Sequence, residues 1–214
     1  MSNEVNHFTV AEEIWHAITH GAGFFLGVAA LVLLIVFASI EESSAITIVS
    51  VAIYGATLVI MYGSSTLYHA VRETELKQLF QKFDHSAIYF LIAGTYTPIM
   101  LVTVGGAEGW TIFGIEWGIA FVGILLKFIY PGRFELFSLL AYLLMGWLIV
   151  VVFDTFKTNM DPTGFWLIVT GGVAYTAGIL FYVKDKIRYF HVIWHLFVLT
   201  GSILQFFAIL LYVA

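Results

Sequence analysis

Cysteine is absent from the 214 residues. No disulfide can staple this chain and no thiolate can hold a metal, so a metal site would have to be built from imidazoles and carboxylates. Charge is scarce as well. Asp, Glu, Lys and Arg make up 11% of the residues, against about 25% in soluble domains. The nine Lys and Arg residues form no dense basic stripe, which argues against nucleic acid as a partner. Met1 to Glu13 holds neither Lys nor Arg. It lacks the basic region that opens a cleavable signal peptide, so the first apolar segment is expected to remain as a transmembrane helix.

Hydrophobicity is what the chain has in abundance. Hydrophobic residues reach 61% and aromatics 17%, and the mean hydropathy is +0.96. That composition belongs to a polytopic membrane protein. The net charge of -5 carries little information, because the few charges fall between apolar segments. Seven segments have the roughly 20-residue length that crosses a bilayer. They run His16–Ser39, Ala45–His69, His85–Val104, Thr111–Tyr130, Glu135–Phe153, Gly164–Val183 and Phe190–Val213. The expected fold is all-α: one seven-transmembrane helix bundle over residues 1–214, with a short polar tail at 1–13. Short connections predict antiparallel neighbours.

Local features refine this. Gly23 and Gly27 in the first segment form a small-xxx-small pair that permits close helix approach, a weak signal for a homo-oligomer. Arg72 to Lys82 is the longest polar stretch, and Leu76, Leu79 and Phe80 suit a short interfacial helix there. Thr95-Tyr96-Thr97-Pro98 predicts a kink in the third segment, with threonine hydroxyls bonding freed carbonyls. Asp154 to Pro162 reads as a polar loop. Trp110, Trp117 and Trp166 read as interfacial belts, and Glu116 as an interfacial residue.

Basic residues set the orientation. The 2–3 connection has Arg72, Lys77 and Lys82. The 4–5 end has Lys127 and Arg133, and the 6–7 connection has Lys184, Lys186 and Arg188. Of the nine, Lys157 alone falls on the other side. The N-terminus is therefore expected in the cytoplasm and the C-terminus outside.

This topology places six of the seven histidines at one depth, near the cytoplasmic leaflet. His16 and His20 sit at the start of helix 1, His69 at the end of helix 2, and His85, after Asp84, at the start of helix 3. His191 and His195 open helix 7, while His7 lies in the tail. His191 and His195 are four apart, hence on one helix face with Cβ atoms about 6 Å apart. Ionisable groups inside an apolar segment are costly, and so mark a functional site.

Neutral imidazole suits zinc, and three protein ligands plus water is the usual catalytic arrangement. His191 and His195 supply two ligands and His69 the third. Asp84 is the candidate carboxylate to take a proton from the water. Ser65, one turn before His69, could orient a ligand or donate to a substrate carbonyl. Each residue also has a plainer reading. Helix-end histidines often bond lipid or backbone, Ser65 suits close packing, and Asp84 suits a helix N-cap. His16 and His20 share the four-residue spacing and are alternative ligands to His69, or supporting neighbours. His85 points about 100° away from Asp84 and reads as a neighbour rather than a ligand.

Ser65-x-x-x-His69, Asp84 and His191-x-x-x-His195 resemble the pattern of the progestin and adipoQ receptor family, part of a membrane hydrolase superfamily that includes the alkaline ceramidases. Three stretches are similar to the bacterial hemolysin III branch in particular: Glu12–Gly21, Tyr62–His69 and Phe83–Tyr89. The resemblance covers nearly the whole chain. It implies seven helices with the N-terminus inside, zinc on His69, His191 and His195, and Asp84 acting through the water. It further implies a bacterial inner-membrane protein with membrane lipids as partners, a ceramide-like amide as the substrate class, and a role in lipid homeostasis. The chain lacks the long N-terminal region of the animal receptors, which speaks against a hormone receptor. The expected activity is zinc-dependent hydrolysis of a lipid amide or ester. The alternatives are a membrane-perturbing hemolysin and a non-catalytic regulator with structural zinc.

Overall fold

The computed structural model describes residues 8–214 and is all-helical over that range. Its elements are α1 (Val10–Ile40), α2 (Ala45–Ala70), α3 (Thr74–Pro98), α4 (Gly106–Ile129), α5 (Glu135–Gly146), α6 (Phe153–Asn159), α7 (Pro162–Tyr182) and α8 (Phe190–Tyr212). A π-helical turn, Ile99–Val104, follows α3, and a 3-10 turn, Leu148–Val152, joins α5 to α6. Seven stretches are long and apolar enough to cross a membrane, with α5 and α6 forming one of them. Large side chains such as Phe25, Phe121, Phe137 and Val151 stand outward and exposed, as a lipid-facing surface requires. The chain is a multi-pass membrane protein.

α1 begins earlier than the polarity of Glu12-Glu13 suggests. Thr9 caps it, its hydroxyl accepting from the Glu12 amide while the Glu12 side chain accepts from the Thr9 amide. This reciprocal cap satisfies two of the N–H groups that a helix start leaves open. Helix propagation back to Val10 puts Glu12 and Glu13 on the helix, in register with His16 and His20. The buried stripe of α1 then reads Glu12, His16, His20, Gly23, Gly27, Ala30, Leu34 and Ala38, a helical period with polar groups at one end and small residues at the middle. A Cβ on Gly23 would run into the Tyr62 ring, and one on Gly27 would lie 3.4 Å from the Leu58 backbone. The small-xxx-small pair therefore serves α1–α2 packing within the chain.

α3 also starts ahead of expectation. The polar connection is its first turns, capped by Glu73, so Asp84 lies ten residues inside a continuous helix and is not a cap. Lys77, which reads as a loop cation, is 2% exposed. After Pro98 the helix widens into the π turn. Thr95 and Thr97 donate to the carbonyls of Leu91 and Ala93, one turn back from each, and not to the Gly94 carbonyl that Pro98 leaves without an amide. α4 packs closely here, for a Cβ on Gly109 would meet the Met100 carbonyl. Glu116, expected at an interface, is fully buried, and neither carboxyl oxygen has a hydrogen-bond partner among the described residues. Its place on the Gly109, Ile112, Ala120 and Gly123 face of α4 accounts for this. Trp110 and Trp166 are exposed, whereas Trp117 turns inward and donates to Thr97.

α1 packs against α2 and α8, α2 against α3, and α7 against α8. The start of α1, the end of α2, the first half of α3 and the start of α8 thus converge at one end of the bundle.

Candidate metal centre

Five histidines meet at that end. His16 sits among the other rings, with centroids 4.6 Å from His69, 4.8 Å from His191 and 5.2 Å from His195. His20 stacks on His195 at 3.5 Å. Ligand atoms of His69, His191 and His195 lie within 4.8 Å of one another, close enough to share one ion. Phe8 covers the group, 4.7 Å from His16 and 4.9 Å from His191.

Hydrogen bonds orient two of the three candidate ligands. His69 Nδ1 lies 2.6 Å from Glu13 Oε2. A carboxylate only accepts, so Nδ1 carries the hydrogen and Nε2 is left with its lone pair. That Nε2 is buried and has no partner among the described residues. Glu13 is itself held by Lys77, whose Nζ is 2.8 Å from Oε1. His195 Nδ1 lies 3.1 Å from the Thr19 hydroxyl. Thr19 spends its hydrogen on the carbonyls of Trp15 and His16, so its oxygen accepts from His195 and frees the other ring nitrogen. The start of α8 is fixed by Glu12, which accepts from the Tyr189 amide at 2.9 Å. Tyr189 adopts a left-handed backbone, φ 64°, an uncommon conformation for a side-chain-bearing residue. This brings His191 to face His69, with its Nδ1 buried and unpartnered.

Three imidazoles with ligand atoms within 4.8 Å of one another, two of them carrying a buried nitrogen without a partner among the described residues, fit a zinc ion. Carboxylate-to-histidine support of this kind is the usual companion of a metal-bound ring. A second group, Glu13, His16 and His69, could also hold an ion. Lys77 already occupies Glu13 and the 2.6 Å hydrogen bond fills the space between Glu13 and His69, so we read Glu13 as a support for the first group.

The other expected residues take distinct places. Ser65 is 1% exposed, bonded to His20 Nδ1 at 2.7 Å and within reach of the Asp84 carboxyl. It stands between Asp84 on α3 and the histidine stack and is not open to a substrate. Asp84 stands outside both groups of metal-ready atoms, which suits action through a water rather than as a ligand. His85 is directed away. Its Nδ1 is 3.7 Å from Glu135, which pairs with Lys127 at 2.6 Å, so His85 is neither ligand nor support of the cluster. His7 lies outside the described residues. Glu13, Lys77 and Thr19 are the contributors that sequence reasoning passes over. The signal for Glu13 is its position three residues, about one helical turn, before His16.

Beside the cluster lies a mostly apolar cavity of about 120 Å³ between α3, α5, α7 and α8, with Leu91, Leu143, Gly172 and Val198 on its walls. Ile88, Tyr182 and Trp194 line it as well, and Tyr182 at the end of α7 lies against His191 and Trp194 of α8.

The chain is similar to known proteins over nearly its whole length. The chain is 44% identical over 204 residues to "Hemolysin-3" of Bacillus cereus, covering 95% of this chain and 93% of that one. It is 44% identical over 205 residues to the "Hemolysin-3 homolog" of Bacillus subtilis (strain 168), covering 96% of each. A more distant relative is the "Monocyte to macrophage differentiation factor" of Homo sapiens, 32% identical over 164 residues, or 73% of this chain and 67% of that one. A family profile described as "Haemolysin-III related" matches residues 8–206, and the chain belongs to that family.

Proposed function

We propose that the protein is a zinc-dependent hydrolase of a lipid amide or ester bond, working at the cytoplasmic leaflet of a bacterial membrane. The observation that carries this reading is the shared focus of His69, His191 and His195 next to an apolar cavity inside the bundle. Bound there, zinc would acidify a water and polarise a carbonyl. Asp84, beside Ser65, takes the proton of the attacking water and returns it to the leaving nitrogen or oxygen. The cavity gives an acyl chain a place among Leu91, Leu143 and Val198, which leaves the scissile bond at the histidine end. Glu13 and Thr19 keep two of the rings turned so that one nitrogen of each stays available. The basic residues of the connections at this end support a position inside the cell.

The name of the bacillary relatives points to membrane perturbation as a second reading. Membrane perturbation needs neither the histidine focus nor the cavity. Purified protein given labelled ceramide-like lipids should release fatty acid, and chelation or His191→Ala should abolish that release. Turnover that survives both treatments overturns the hydrolase reading. Liposome leakage independent of zinc and histidine would support the second.

A further inference from the structure

The hydrolase reading needs a hydrogen-bond donor for the carbonyl oxygen of the substrate. Ser65 suits that role by spacing, but it is buried, engaged by His20, and absent from the cavity wall. Four tyrosines do line the cavity: Tyr96, Tyr142, Tyr175 and Tyr182. Three have committed their hydroxyls. Tyr96 donates to the Gly146 carbonyl at 3.1 Å, Tyr142 to the His85 carbonyl at 2.8 Å, and Tyr175 pairs with Ser202 at 2.8 Å. Among the described residues the Tyr182 hydroxyl has no hydrogen-bond partner.

Its position is specific. Tyr182 is the last residue of α7. Its ring is 6.1 Å from His191 and 5.4 Å from Trp194. It also lies within electrostatic reach of Asp84. It therefore lines the cavity on one side and faces His191 on the other. A lipid whose chain fills the cavity must present its first polar group beside this phenol.

We infer that Tyr182 donates its phenolic hydrogen to the carbonyl oxygen of the scissile amide or ester. The inference rests on the hydrolase reading. As the water oxygen bonds to the carbonyl carbon, the C=O electron pair moves onto the carbonyl oxygen and the Tyr182 hydrogen bond strengthens. The water proton passes to Asp84. The pair then re-forms C=O, the bond to nitrogen or oxygen breaks, and the leaving atom takes the proton from Asp84. Tyr182 keeps its own proton throughout.

Such a donor acts mainly in the transition state, and removing one costs about 10²–10³-fold in kcat. Tyr182→Phe keeps the ring that packs on Trp194 and removes only the donor. On labelled ceramide-like lipid in detergent micelles, the variant should lose about 100-fold in kcat with KM little changed. Its zinc content and melting temperature should match the wild type. Turnover by Tyr182→Phe at the wild-type rate overturns the inference and leaves the hydrolase reading standing, whereas an inactive wild type removes both. If Tyr182→Phe does not accumulate, a fluorotyrosine at position 182 preserves packing and makes a stronger donor. A rise in kcat then supports the role, and an unchanged kcat contradicts it.

Discussion

Glu13 Oε2 on α1 and His69 Nδ1 on α2 are 2.6 Å apart, and this contact orients the ring whose other nitrogen faces His191 and His195. The pairing is long-range in sequence and depends on α1 reaching back to Val10. The carboxylate fixes the tautomer and strengthens the ring as a ligand. Glu13→Gln keeps the shape and weakens that bond, so zinc affinity should fall about 10- to 100-fold. Competition with a chelator measures it, and an unchanged affinity would remove Glu13 from the site.

Lys77 is buried against Glu13, 2.8 Å away, and donates to the Tyr68 carbonyl at 3.0 Å. Lys77→Met leaves the Glu13 carboxylate without its partner. Breaking a buried pair on one side costs about 3–5 kcal/mol. Glu13 keeps some exposure, 15%, so the lower end applies. Thermal unfolding in detergent should show a clear drop, and Glu13→Gln combined with Lys77→Met should recover part of it.

Ser65 is bonded to His20 at 2.7 Å, lies near Asp84 and touches no cavity space. Ser65→Ala should leave zinc content intact while unpairing His20 Nδ1, a cost of about 1–3 kcal/mol. Turnover should fall because the hydroxyl beside Asp84 is lost. Loss of zinc in this variant would show that Ser65 supports the ligands directly.

Gly172 faces the cavity, and a Cβ there would meet nothing closer than Trp147 at 3.9 Å. Gly172→Phe should fill the space without displacing backbone. Long-chain substrates should then lose kcat/KM while short-chain ones are spared. Equal loss for both lengths would argue against the cavity as the chain site.

Glu116 is buried in α4 with both oxygens unpartnered among the described residues. An unsatisfied buried polar group costs stability, so Glu116→Met should raise stability by about 1 kcal/mol. A lower melting temperature would reveal a partner for this carboxyl.

The seven spans could be read in the sequence because each is an apolar run of bilayer length, and the histidine cluster because His191 and His195 keep a helical spacing. What escaped was set by contacts between distant segments. Glu13 looks like the polar edge of an apolar run until α1 is extended by its Thr9 cap. Lys77 looks like a loop cation until Glu13 and Tyr68 surround it. Asp84 looks like a helix start because the charged residues before it hide the first turns of α3. The break between α5 and α6 leaves no mark in the apolar run Leu143–Val152. The Ile149 amide there donates to the Tyr96 hydroxyl on α3 at 2.9 Å, in place of continuing the helix ladder.

The measurement that bears most directly on the central claim is the zinc content of purified wild-type protein beside His69→Ala and His191→Ala. One zinc per chain in the wild type, and loss of it in both variants with the helices still folded, is the predicted result. A wild type that binds no metal, or variants that retain it in full, would contradict the assignment of His69, His191 and His195 as its ligands.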